Sequence, residues 1–144
     1  METLTLTTPL ETVQRAYALR AAQDVPAYFT LLDPAVEVRQ TDQLLWGGTH
    51  HGYAGVREFS ATMQPLIASQ VTIDSFIEAG DTVCAIGHMR GTALATQQLF
   101  DCRLVHVWTV RHGLITRLEV RLDTATMRQA LEVASAWFFP ALTP

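Results

Sequence analysis

The spacing of apolar positions changes along the chain, and each change marks a different element. Leu10, Val13, Tyr17 and Leu19 recur at helical spacing, with Arg15 and Arg20 left for the outer side. Thr8-Pro9-Leu10-Glu11 predicts the start of that helix: a capping threonine, a proline at the first helical position, and a glutamate three residues after the cap. Asp24 opens a second, short helix whose apolar content is Tyr28, Phe29, Leu31 and Leu32, ended by Asp33-Pro34. Val36-Glu37-Val38-Arg39 alternates as a strand. Trp46-Gly47-Gly48-Thr49-His50-His51-Gly52 is rich in turn formers and leads into a third helix with Val56, Phe59, Met63 and Leu66. From Gln70 onward the chain is mostly strand: Val71 to Ile77, Thr82 to Met89, Leu99 to Val110 and Ile115 to Leu122. Turns fall at Ala79-Gly80-Asp81 and Arg111-His112-Gly113, with a longer hairpin through Gly91 to Gln97. Asp123-Thr124 caps a last helix with Met127, Leu131, Ala134 and Phe138 at helical spacing.

Helices first, then a meandering sheet, then a closing helix predict an α+β domain with helices packed on one face of a curved antiparallel sheet. Such a sheet encloses either a filled core or a deep pocket, depending on what points inward. On Leu99 to Val110 the even set is Phe100, Cys102, Leu104, His106, Trp108 and Val110; the odd set holds Asp101, Arg103 and Thr109 beside Leu99, Val105 and Val107. On the next strand Leu118, Val120 and Leu122 oppose Arg117, Glu119 and Arg121. The apolar sets share the inner face, because a slip of one residue would bury two arginines and a glutamate. A three-residue turn at Arg111 to Gly113 satisfies this and places His106 opposite Leu118. His106 then points into the interior between Leu104 and Trp108. An imidazole there is a general acid or base, a neutral hydrogen-bond donor, or a core histidine satisfied by a tyrosine or backbone group.

Composition narrows the chemistry. The 144 residues, 49% hydrophobic and 17% charged, are enough for one domain with a full core. All 10 basic residues are arginines; the chain has no lysine and no asparagine. A Schiff base, a pyridoxal-phosphate anchor and a phosphate-cradling P-loop lysine are thereby excluded, as are an N-glycosylation acceptor and a cysteine–histidine–asparagine triad. A net charge of −4 with scattered arginines argues against a nucleic-acid partner. No apolar run is long enough for a membrane span, and Met1-Glu2-Thr3 does not open a signal peptide. Cys84 and Cys102, on separate strands, read as small buried hydrophobes of a reducing compartment. The expectation is an acidic cytoplasmic domain.

At this point several segments fall into a known order. Tyr17 lies on the first helix, and Trp46 to Gly52 precedes Gly55-Val56 and Phe59. Then come Val105-His106-Val107-Trp108-Thr109-Val110-Arg111-His112-Gly113-Leu114-Ile115 and Leu118-Glu119-Val120-Arg121-Leu122-Asp123-Thr124-Ala125. Over roughly residues 9 to 135 the chain resembles the SnoaL-like branch of the nuclear transport factor two-like superfamily. The resemblance implies a single domain over 1–144, a cone-shaped α+β barrel closed by a C-terminal helix and apolar tail over 123–144. It also implies a cavity between the helices and the concave sheet face, and a homodimer. Its members include ketosteroid isomerases, polyketide cyclases, epoxide hydrolases, dehydratases and non-enzymatic proteins, so fold alone does not choose among them. Position by position, Tyr17 matches the isomerase tyrosine and His106 stands where the late-strand acid would be. The early-strand aspartate base falls near Arg39 or Gln40, with Asp42 in the loop beyond. The cyclase aspartate falls at Val120, and the epoxide hydrolase carboxylates find no match at His106 or Val120. Cavity histidines do serve dehydratases of the superfamily.

The expected catalytic pair is therefore His106 and Tyr17. The expected ligand-binding residues are Trp46, Tyr53, Phe59, Met63, Arg90, Phe100, Trp108, Leu118 and Val120, although aromatic and methionine residues at such spacings more often form plain core. Arg90 and His88 share a face of their strand whose direction the sequence leaves open. His50-His51 is no metal pair, because adjacent residues diverge, and reads as solvent-facing loop; His112 is an exposed turn residue. No metal or cofactor is expected. Val105 and Val107 among Arg103, Arg117 and Arg121 fit a homodimer interface on the outer sheet face, and Trp137-Phe138-Phe139-Pro140 is apolar enough to pack on the body or a partner. Three functions stay open: an isomerase-, dehydratase- or cyclase-type enzyme for a small apolar or aromatic molecule, isomerase- or lyase-like without cofactor; a non-catalytic binder of such a molecule; or a dimeric structural domain with a filled interior.

Overall fold

The computed structural model describes residues 7–132. Its first helix, α1 (Pro9–Ala21), starts on the expected capping box. Thr8 Oγ1 accepts from the Glu11 N–H at 3.1 Å, and Glu11 Oε1 accepts from the Thr8 N–H at 2.9 Å. A cap of this kind contributes about 1 kcal/mol. Asp24 caps α2 (Val25–Thr30) through the Ala27 N–H. Strand β1 (Leu32–Gln40) begins sooner than expected and takes in Asp33-Pro34. Asp33 Oδ1 accepts from the Ala35 N–H at 2.8 Å, and the ladder to the neighbouring strand shifts register between Leu32 and Glu37. Pro34 thus sits where no ladder bond is demanded of it.

After β2 (Gly48–His51) and α3 (Gly52–Met63) come the long strands β3 (Ile67–Ala79), β4 (Thr82–Ala93), β5 (Gln98–Arg111) and β6 (Leu114–Leu122). A last helix, α4, covers 124–132 and is capped by Asp123, whose carboxylate accepts from the Thr126 N–H and hydroxyl. Ala134, Phe138 and the Trp137 to Pro140 segment lie outside the described residues.

The six strands form one curved, unclosed sheet in the order β2-β1-β6-β5-β4-β3. The sheet is mixed rather than antiparallel throughout, since β1 and β6 run parallel. Successive reversals from β3 to β6 return the chain beside β1 pointing the same way. Close approach at the β3 side depends on glycine. A Cβ at Gly87 would lie 1.9 Å from Thr72 O, and one at Gly91 2.1 Å from Ala68 O. Both glycines lie on β4 against β3, whose register shifts between Ile73 and Ser75.

The β5–β6 hairpin corrects the expected register while keeping its faces. Arg111 pairs with Leu114 across His112-Gly113, both at positive φ (53° and 77°), so the turn is a two-residue one. That turn alone would put the wrong faces together. Thr116 is an extra residue between the Val110–Ile115 and Thr109–Arg117 pairs, and this bulge restores the alternation. His106 consequently faces Val120, and Leu118 faces Trp108.

Helix α1 lies across β4, β5 and β6, while α3 lies on β1 and β2. Beneath them are two core clusters. One gathers Val13, Ala16, Val38, Val83, Leu104, Trp108, Leu118 and Val120; the other gathers Leu44, Trp46, Ile67, Met89, Phe100, Cys102 and Met127. Phe59 and Leu122 pack against both. On β4 the inner side carries Val83, Ala85, Gly87 and Met89, so His88 and Arg90 belong to the outer side. Cys84 and Cys102 are free thiols on opposite faces of the sheet.

Candidate functional site

Tyr17 comes down from α1 onto the inner face of β5 and meets His106 and Trp108 there. Its Oη lies 2.5 Å from His106 Nδ1, and Trp108 Nε1–H donates to the same oxygen at 3.0 Å. The three rings are packed at right angles or stacked. Tyr17 and Trp108 meet edge to face with centroids 5.5 Å apart, and Tyr17 and His106 stack at 5.8 Å. His106 is 8% exposed and Trp108 1%.

The Trp108 donor constrains the proton positions. An indole N–H can only donate, so the Tyr17 oxygen is its acceptor. The Tyr17 hydroxyl proton is then free for His106 Nδ1, an arrangement that leaves that nitrogen unprotonated and puts the imidazole proton on Nε2. Burial pushes the His106 pKa down to about 3, with the Arg20 charge adding to the effect. Burial also raises the Tyr17 hydroxyl well above the usual phenol range, outweighing the bond from Trp108. Both rings are therefore neutral at ordinary pH. Nε2 has no hydrogen-bond partner among the described residues. A neutral imidazole with so low a pKa is a poor base, yet its Nε2–H is a good donor to a carbonyl or a developing oxyanion.

The other expected residues divide. Trp108, Leu118 and Val120 surround His106 on the inner face. Tyr53 packs at the margin of this cluster, and its hydroxyl is taken up by Leu32 O at 3.1 Å. Trp46 and Phe100 are buried in the second cluster with Met63 at its edge, and Phe59 bridges the two. Arg90 is not among them. It is half exposed on the outer face, with Nε 2.9 Å from Asp101 Oδ2, because β4 turns its odd residues inward. Among the described residues no group of three or more histidine, cysteine or carboxylate side chains could hold a metal ion.

Two polar residues matter more than their sequence context suggested. His50 is not solvent-facing: its side chain is 10% exposed, Nδ1 lies 2.9 Å from Glu58 Oε1, and Nε2 lies 3.1 Å from Gly47 O. It clasps the 47–52 turn to α3, edge-on to Phe59 at 5.4 Å. His51 does face solvent, its side chain 71% exposed. Gln40, the last residue of β1, is 3% exposed, and neither polar atom of its side chain has a partner. It pairs with Val120 on β6, the same residue that faces His106 from the other side. The signal in the sequence was the alternation Val36, Val38, Gln40, which continues the inner face to the strand end.

Where β1 stops at Gln40, β6 runs on to Leu122. The notch left there is a pocket of about 460 Å³ that reaches Gln40 and Val120. A second pocket, about 350 Å³, lies between Ile86, Arg103 and Val105. Neither is lined by Tyr17, His106 or Trp108.

The SnoaL-like domain model matches residues 13–118. An NTF2-like protein from Burkholderia thailandensis is 30% identical, with 85% of this chain and 96% of that one covered at a TM-score of 0.80. TerC, crystallised with polyporic acid, is 29% identical over 86% of this chain and 98% of its own, with a TM-score of 0.79. A protein of ketosteroid isomerase-like fold from Catenulispora acidiphila, in complex with trimethylamine, shares the fold at 21% identity (87% and 94% covered, TM-score 0.71). No curated protein matches. Sequence and fold agree over most of the chain: it belongs to the SnoaL-like domain family, with the NTF2-like, ketosteroid isomerase-like fold.

Proposed function

We propose that the inner sheet face binds a small apolar or aromatic molecule and holds one of its oxygen acceptors on His106 Nε2–H. The observation that carries this reading is the chain from Trp108 Nε1 through Tyr17 Oη to His106 Nδ1, which leaves the second nitrogen of a buried imidazole without a partner among the described residues. A preorganised neutral donor in a dry site polarises a carbonyl and stabilises the oxyanion that forms when a neighbouring carbon loses a proton. The reaction class this suits is isomerase- or lyase-type. TerC, crystallised with polyporic acid, supports a flat aromatic ligand with oxygen acceptors. The open notch reaches Gln40 and Val120, and Val120 pairs with His106.

A second reading, a binder without turnover, is favoured by the inner face itself: Gln40 and Val120, close to where the resemblance puts the isomerase base and the cyclase aspartate, are not carboxylates. Calorimetric titration with polyporic acid tests what both readings share. Binding that weakens about tenfold in both Tyr17→Phe and His106→Phe supports the donor role, a tenfold change being about 1.4 kcal/mol. Unchanged affinity in both variants contradicts it. Proton exchange at a carbon next to the bound carbonyl, followed by NMR in deuterated water, then separates enzyme from binder.

A further inference from the structure

We infer that the Gln40 side-chain amide is a second ligand-binding group, reading a paired donor and acceptor such as a carboxamide or lactam at the end of the ligand remote from His106. This deepens the proposed function and rests on it. Among the described residues the buried polar or charged side chains are Thr12, Gln40 and His106. Thr12 lies within α1, whereas the other two stand in one row of the sheet, His106 on β5 and Gln40 on β1, with Val120 of β6 between them. Two strand spacings put their Cα atoms about 10 Å apart, the length of a two-ring aromatic body with its substituents.

Gln40 is otherwise hard to account for. Both Oε1 and Nε2 are buried without a partner, and a buried amide left in that state destabilises the fold. A leucine or methionine would serve the core better. A residue that costs stability, faces inward and borders the open notch has the marks of a group kept for a ligand. The amide presents one acceptor and two donor hydrogens, so its complement is a ligand group with both functions.

Two probes of nearly equal shape decide it: 6-methoxy-2-naphthamide, which carries donor and acceptor, and 6-methoxy-2-acetonaphthone, in which a methyl replaces the amide nitrogen. The parent should bind the amide about tenfold more tightly. Gln40→Met, of equal side-chain length, should abolish that preference and raise Tm by a few degrees in the absence of ligand. Gln40→Leu repeats the test if the methionine variant folds poorly. Equal affinities in the parent, a preference that survives in Gln40→Met, or a fall in Tm in both variants overturns the inference. If Tyr17→Phe weakens both compounds while the parent does not discriminate between them, the inference alone fails. A parent that binds neither compound overturns it together with the reading beneath it.

Discussion

Two histidines on neighbouring strands meet opposite fates. His106, on the inner face of β5, is buried among aromatic rings with a hydroxyl on one nitrogen and no carboxylate beside it. His88, on the outer face of β4, has Asp101 Oδ1 2.8 Å from Nδ1 and Asp74 Oδ2 3.9 Å from Nε2. Asp101 also receives Arg90, and the bonds from Arg90 and His88 hold its carboxyl below the usual range. The outer cluster is a solvated ion-pair network whose energy is screened by water and salt. The inner trio is uncharged and buried. Environment, rather than residue type, decides which of the two can act on a ligand.

The largest effect that should separate the two regions is on stability. Trp108→Ala removes a fully buried ring and the donor that orients Tyr17, and should cost about 3–5 kcal/mol, read from the urea midpoint. A loss below about 1 kcal/mol would mean that the trio is loosely packed. Acid sensitivity comes next. His106 titrates near 6.5 when unfolded and near 3 when folded, so the unfolded state binds the extra proton in between. Stability from this group is fully present above about pH 6.5 and falls by about 1.4 kcal/mol per pH unit toward pH 3. His106→Phe should flatten the stability–pH curve over that window relative to the parent, and parallel curves would show that His106 is not buried neutral.

Tyr17→Phe is a smaller perturbation. It strands His106 Nδ1 and Trp108 Nε1 together and should cost about 1–3 kcal/mol with the ring packing kept. The outer face supplies the smallest effect. Asp101→Asn should move Tm by no more than about one degree, and less again in high salt. What stability the lowered Asp101 carboxyl provides is present above its unfolded pKa and lost as pH falls through its folded one. A Tm loss as large as that of Tyr17→Phe would abolish the contrast.

The inward aim of His106 was legible because its own strand and the one that follows segregate charge to one side. Burying Arg117, Glu119 and Arg121 is a penalty the sequence itself displays. The exact partner was not legible. The two-residue turn and the Thr116 bulge each move the register by one residue, and nothing local distinguishes a bulged two-residue turn from a three-residue one. Strand β4 gave no direction for Arg90, since Val83, Ala85 and Met89 on one face and Cys84 and Ile86 on the other are both apolar. Parallel pairing of β1 with β6 joins residues some eighty positions apart, so the row that sets Gln40 beside Val120 and His106 could not be read from either strand alone. His50 was misread for a similar reason. Its clasp depends on Glu58, which reaches back only once α3 has formed.

The central claim is that His106 is a neutral imidazole with its proton on Nε2. Nitrogen-15 NMR of the histidine rings measures this directly. The account predicts one ring with Nδ1 unprotonated and Nε2 protonated, unchanged from pH 8 to pH 5, assigned to His106 by its loss in His106→Phe. A His106 signal that titrates near pH 6.5, or one with the proton on Nδ1, would contradict it.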